Sequence, residues 1–254
     1  MARSERLDKL LVARGLAPSR ERAQGLILAG RVLVGGRPAL KAGAPTSPDA
    51  GITLLADPCP YASRGGLKLA GALDAFGLSP KGLLCLDVGA STGGFTDCLL
   101  QRGARRVVCV DVGRGLLDWK LRNDPRVTLL EGVNARHLTW EAFKEAAGEE
   151  RPGLATVDLS FISVTKVLLP VRALLAERAD LVILVKPQFE AGKGKVGKGG
   201  VVRDPALHRE AVESVWKFCE ENGMKPRAQC ESPITGTKGN KEFFVWAGGG
   251  ENLS

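Results

Sequence analysis

The chain has little of what metal centres, membranes and secreted scaffolds require. Two histidines and one tyrosine occur in 254 residues, and aromatics make up 5%. His137 and His208 stand too isolated to form a metal site, so no metal is expected. No run of 18 apolar residues exists, which leaves no helix able to span a bilayer. Residues 1–8 are charged and lack the apolar core of an export signal. The six cysteines include no Cys-x-x-Cys, and Cys85 and Cys109 sit inside apolar runs. They read as small core residues in a reducing, cytoplasmic setting, not as a disulfide framework. Internal repeats and low-complexity tracts are absent.

Positive charge, by contrast, is plentiful. The net charge of +8 favours an anionic partner without choosing between nucleic acid and membrane. The length suits one large domain or two unequal ones. Residues 1–43 form a distinct unit in which Arg3, Arg6, Lys9, Arg14, Arg20, Arg22, Arg31, Arg37 and Lys41 face only Glu5, Asp8 and Glu21. Leu7, Leu10 and Leu11 fit one helical face. Ser19 is a candidate N-cap for a second helix, which Gly30 ends, and Arg31–Val34 with Gly35-Gly36 reads as a strand and turn. Two short helices, a hairpin and excess positive charge resemble the S4 RNA-binding domain. Pro45, Pro48, Pro58 and Pro60 place a linker over 44–60, so the domains are read as 1–60 and 61–254.

From Tyr61 onward strands alternate with helices. Strands are expected near 83–88, 106–111, 127–130, 154–159 and 180–186. Helices are expected near 67–76, 94–102, 115–122, 139–147, 164–177 and 205–222. That alternation builds a parallel α/β sheet, and the runs 225–231 and 241–247 suit a terminal hairpin that inserts an antiparallel strand. Between the first strand and its helix lies Asp87-Val-Gly-Ala-Ser-Thr-Gly-Gly94. This Gly-x-x-x-Gly-Gly pattern differs from a dinucleotide fingerprint. It resembles motif I of class I S-adenosylmethionine (SAM) methyltransferases, whose Rossmann-like sheet is mostly parallel with an antiparallel last strand. Gly89, Ser91, Gly93 and Gly94 would then let backbone approach the methionine part of SAM, with Asp87 near its amino group. Asp111, ending the second strand, could accept the ribose hydroxyls, or else cap the helix near Gly115. Asn134 could reach the adenine, or be a helix cap itself.

The remaining strand ends carry charge. Asp158 ends the fourth strand in Asp-Leu-Ser-Phe161, without the prolines usual in amino-methylating enzymes. Lys186 ends the fifth in Lys-Pro-Gln-Phe-Glu190, Lys68 lies in Ser63-Arg-Gly-Gly-Leu-Lys-Leu69, and Glu242 begins the last strand. Lys68, Asp158, Lys186 and Glu242 look like the Lys-Asp-Lys-Glu tetrad of FtsJ-type RNA 2′-O-methyltransferases. Together with the S4-like unit, they make the chain resemble the TlyA family, often labelled hemolysin A, over nearly its full length. The resemblance implies an S4 domain joined to a Rossmann-like methyltransferase domain. It also implies SAM as cofactor and ribosomal RNA (16S, 23S or both) as partner, methylated on cytidine ribose. Lys186 is the candidate base, Asp158 orients it, Lys68 stabilises the developing alkoxide, and Glu242 positions a lysine or the ribose. Arg3, Arg6, Arg20, Arg22, Lys41 and Arg64, with Lys193, Lys195 and Lys198 of the basic segment 192–200, are the candidate RNA contacts. Phe189 could stack on a base or belong to the core. Two competing readings are an RNA-binding module with an inactive methylase domain and a membrane-active hemolysin. The second finds no strongly apolar amphipathic segment to support it.

Overall fold

The computed structural model describes all residues except 1–3, 29, 40, 56–58, 192–196, 237 and 249–254, and the backbone alone of Lys198. It divides into two compact units, residues 1–60 and 61–254.

The smaller unit starts with strand β1 (Glu5–Arg6), followed by helices α1 (Leu7–Ala13) and α2 (Arg20–Leu28). The apolar residues on their facing sides, Leu7, Leu11, Ala23 and Ile27, are fully buried with Val32. Ser19 does act at the start of α2, where its Oγ accepts the Arg22 N–H at 3.2 Å. Gly30 closes the helix at φ +68°. Strands β2 (Val32–Val34) and β3 (Arg37–Pro38) pair across Gly35-Gly36, both at positive φ as a tight hairpin turn requires. The stretch read as linker holds more structure than expected. Within it, β4 (Pro45–Thr46) pairs with β1, and β5 (Ile52–Leu54) pairs with the free edge of β2. Proline is tolerated in β4 because each of these is an edge strand.

Asp8 ties this unit together. It is fully buried, and its carboxylate receives Arg6 Nε (3.0 Å) and Nη2 (2.9 Å), Arg20 Nη2 (3.2 Å) and Gln24 Nε2 (2.9 Å). The Arg6 guanidinium holds the carboxyl well below the usual carboxylate range. Two of the arginines expected to meet RNA are therefore already bridged across α1 and α2, though about half of each side chain stays exposed. Arg22 and Lys41 are exposed, and Arg3 lies outside the described residues.

The larger unit opens with α3 (Gly65–Phe76) and alternates thereafter: β6 (Leu84–Val88), α4 (Gly94–Gln101), β7 (Arg106–Asp111), α5 (Trp119–Arg122), β8 (Val127–Glu131), α6 (Trp140–Ala147), β9 (Leu154–Val157), α7 (Thr165–Leu174), β10 (Asp180–Val185), α8 (Pro187–Glu190), α9 (Pro205–Glu221), β11 (Pro226–Glu231) and β12 (Phe243–Gly248). The sheet order is β11-β12-β10-β9-β6-β7-β8, with β12 antiparallel to both of its neighbours and the β10-to-β8 run parallel. This is the α/β sheet with an inserted antiparallel strand that the sequence predicts. The chain winds outward in both directions from β6 and β9, so a crevice opens between their carboxyl ends. Side chains alternate faces along each strand. Leu84, Leu86 and Val88 pack towards α6, α7 and α9, whereas Cys85 packs towards α3 and α4.

One expected helix is much shorter than its pattern. Residues 115–118 stay in a loop because Gly115 takes φ +68°, and α5 begins only after Asp118, whose carboxylate caps it at Lys120 N. Replacing Asp8 with alanine leaves Arg6, Arg20 and Gln24 without their common acceptor. Urea unfolding of this unit should show a loss of about 3 kcal/mol, the low end for a broken buried pair because both arginines are half exposed. The Asp8 contribution is present above the ordinary carboxylate range and is lost as pH falls, so the gap between the two proteins should narrow in acid. An unchanged midpoint near neutral pH would contradict this role.

Candidate active site

The site begins at the loop leaving β6. Gly89 (φ +86°) and Gly93 (φ +92°) take left-handed conformations that ordinary side chains avoid. Packing also demands them. A Cβ on Gly89 would collide with the Asp158 carbonyl, one on Gly93 with Leu121, and one on Gly94 with Ser63 Oγ. The glycines expected to admit a ligand thus first admit the end of β9, helix α5 and the entry to α3. Ser91 takes φ +48° and donates its N–H to Asp111 Oδ2 (2.8 Å), while Gly113 N–H donates to Oδ1 (2.7 Å). Asp111 therefore caps no helix. It joins the loops after β6 and β7, and its remaining lone pairs stay open to a diol. Val112, Leu116 and Trp119, close to it in sequence, are large apolar residues left exposed.

Asp87 sits elsewhere than expected. It is fully buried on the α4 side of β6, where Thr96 Oγ1 (2.6 Å) and Thr156 Oγ1 (3.0 Å) donate to its two oxygens. Burial raises its carboxyl to about 6. It braces β6 against α4 and β9 from within and does not line the cleft. Of the two roles left open for Asn134, the structure shows the cap: it is exposed, and its Oδ1 accepts Arg136 N–H (3.1 Å) at the start of a short helical turn.

The cleft, ≈ 350 Å³, is lined by the 89–95 loop and by Lys68, Asp158, Lys186 and Glu242. Each of the four arrives on a different element: Lys68 on α3, Asp158 after β9, Lys186 after β10, Glu242 before β12. They meet as two ion pairs. Lys68 Nζ lies 2.6 Å from Glu242 Oε2, and Lys186 Nζ lies 2.5 Å from Asp158 Oδ1. Glu242 is 3% exposed and Lys186 8%, so each charge relies on its partner in place of water. Ser160, which the sequence reading did not single out, lines the cleft and accepts a hydrogen bond from Lys186 Nζ (3.1 Å). Glu190 fixes the same corner by accepting from Ser163 Oγ (2.5 Å) and Val164 N (2.9 Å).

Phe161 was also missed. It takes φ +71°, an outlier for an aromatic residue, and is 87% exposed, with its ring 5.5 Å from Phe189. Its only sequence signal is its place three residues after Asp158. Arg64 is exposed on the cleft lining, its Nη2 3.4 Å from the Thr235 carbonyl. Lys193 and Lys195 lie outside the described residues, as does the side chain of Lys198. Among the described residues, no group of three or more His, Cys, Asp or Glu could hold a metal ion.

Comparison with known proteins bears on this geometry. The family model for FtsJ-like methyltransferases matches residues 61–249, and that for the S4 domain matches residues 5–49. The chain belongs to the FtsJ-like methyltransferase family. Its FtsJ-like and S4 parts together are 49% identical over 247 residues to the 16S/23S rRNA (cytidine-2′-O)-methyltransferase TlyA of Mycobacterium tuberculosis, covering 97% of this chain and 90% of that one. They are 40% identical to Hemolysin A of Brachyspira hyodysenteriae, covering 94% and 98%. A solved structure of a candidate hemolysin from Streptococcus thermophilus superposes with a TM-score of 0.74 at 38% identity, covering 99% of this chain and 90% of that one. The cofactor of an FtsJ-like unit is SAM. The residues present fit it: a glycine loop at the switch point, a carboxylate with open lone pairs, and exposed apolar side chains beside it.

The buried Asp87 makes stability depend on pH. Its carboxyl lies at about 6 in the fold against 3.8 in the free residue, so the native state binds an extra proton between those values. Its contribution therefore favours the fold in acid and fades as pH rises through 6. Between about pH 4.5 and about pH 7.5, the wild type should lose about 2 kcal/mol relative to Asp87→Asn in urea unfolding. Parallel stabilities at the two pH values would refute it.

Proposed function

We propose that the protein transfers the methyl group of SAM to the ribose 2′-hydroxyl of a cytidine in ribosomal RNA, as a cytoplasmic enzyme. One observation carries this reading: Lys68, Asp158, Lys186 and Glu242 line a single cleft together with the 89–95 loop. The printed name of the Mycobacterium tuberculosis relative, which is similar over nearly the whole chain, supports the same substrate class.

SAM supplies a methyl group already activated on a sulfonium sulfur. The protein must therefore hold a weak nucleophile in line and manage its proton. In our reading the Gly89–Gly94 loop and Asp111 hold the cofactor. Lys186, held as an ammonium beside Asp158, must first give its proton to solvent, and Nζ then takes the 2′-hydroxyl proton. Asp158 and Ser160, both in contact with that Nζ, fix its position. Lys68 faces the oxygen as negative charge develops, and Glu242 holds Lys68 in place. Phe161 offers an open ring face to a base, and Arg64 a cation to a phosphate at the cleft. The basic S4 unit supplies further contacts through Arg22 and Lys41, with the exposed parts of Arg6 and Arg20. The hemolysin reading gains nothing from the fold, since no helix among the described residues is long and apolar enough to cross a membrane.

Lys186→Ala separates chemistry from binding. With ribosomal subunits lacking the modification and labelled SAM, kcat should fall about 10²- to 10⁴-fold, the usual worth of a general base. SAM affinity, read by calorimetry, should stay close to wild type. Full activity in the variant would remove Lys186 from the reaction.

A further inference from the structure

A second cavity of the same unit, ≈ 610 Å³, has no part in the reaction just described. Its lining includes Arg203, His208, Arg209, Lys238, Lys241 and Phe243. Its walls are the chain entering α9 and the loop between β11 and β12, and buried polar groups fasten one to the other. Asn240, 3% exposed, donates from Nδ2 to the Gly200 carbonyl (2.9 Å), and its Oδ1 accepts the Val202 N–H (2.9 Å). Its own carbonyl accepts from Gly236 N (2.9 Å). His208 Nε2 lies 2.9 Å from the Val202 carbonyl, and its ring lies 5.5 Å from that of Phe243. These bonds hold the two walls to each other.

Its charge is unbalanced. Lys241 is paired with Glu231 at 3.0 Å, and Asp204 is occupied in capping α9 at Ala206 N. Arg203, Arg209 and Lys238 are exposed and make no ion pair among the described residues. The loop between β11 and β12 forms a ridge between two clefts: Thr235 and Glu242 line the catalytic one, and Lys238, Gly239 and Lys241 line this one. Lys241, Glu242 and Phe243 alternate in direction as extended chain does, which separates the catalytic carboxylate from the basic wall by one residue.

We propose that this cleft binds the phosphate backbone of the RNA strand that carries the reacting ribose, beside the target nucleotide. The inference rests on the reading of the protein as an RNA methyltransferase. Exposed, flexible cations spread along an open cavity suit a polyanion crossing the ridge better than one small anion, which would need converging buried donors. The contact would raise affinity, dependent on salt, without touching the chemistry.

The test uses the full-length protein and transcribed ribosomal RNA, comparing wild type with Arg203→Ala/Arg209→Ala/Lys238→Ala over a range of KCl concentrations. Loss of three phosphate contacts should make the slope of log Kd against log salt shallower by about 2 and weaken binding about tenfold or more at low salt. SAM affinity, and kcat at saturating RNA, should not change. All three side chains are exposed, so the unfolding midpoint should hold. Should the triple variant fail to fold, Lys238→Ala alone should cost about 0.7 to 0.9 of the slope. An unchanged Kd and slope, with methyl transfer intact, would overturn the cleft proposal alone. Absence of methyl transfer to RNA by the wild type would overturn the functional reading on which it rests.

Discussion

Two lysines and two carboxylates gathered at the end of an apolar sheet are stable there only as pairs. The low exposure of Lys186 and Glu242 leaves little water to solvate a lone charge. Lys186 with Asp158 and Lys68 with Glu242 meet that condition at 2.5 and 2.6 Å. The second pair joins residues 174 positions apart, so it exists only when α3, the sheet and its antiparallel strand are all in place. The same contacts that satisfy the charges fix the direction of both ammonium groups in the cleft.

Around these pairs, single polar side chains lock the loops at the carboxyl edge to each other. Asp111 ties the loop after β6 to the loop after β7. Glu190 ties the turn after β10 to the loop after β9, and Asn240 ties the entry of α9 to the loop that carries Glu242. Each lock is one polar side chain bonded to backbone or hydroxyl groups, which orders a loop without large apolar burial. The close approach of Gly89 to the Asp158 carbonyl completes the set, placing the cofactor loop directly against the strand end that orients Lys186.

Much of this was legible in the sequence, for physical reasons. Parallel strands buried on both faces write continuous apolar runs, and β6, β7, β9 and β10 lie where those runs predict. The tetrad was legible because charged residues ending apolar strands are conspicuous and match a family pattern. Less visible were features set by partners distant in the chain. Nothing near Asp87 announces that Thr156 will enclose it, and nothing near Asn134 separates a cap from a ligand contact. Strand β5 was hidden because its three residues lie in a proline-rich stretch and gain meaning only beside β2. The exposure of Phe161 follows from a backbone angle that no pattern of residue types encodes.

The central claim is that the cleft serves a ribose oxygen and not a base nitrogen, and where the methyl group lands decides it. Ribosomal RNA labelled by the protein from methyl-labelled SAM would be hydrolysed completely in alkali, which cleaves next to every free 2′-hydroxyl. The account predicts label in alkali-resistant dinucleotides, because a methylated 2′-oxygen cannot attack its neighbouring phosphate. Label released entirely as mononucleotides would place the methyl group on a base and contradict it.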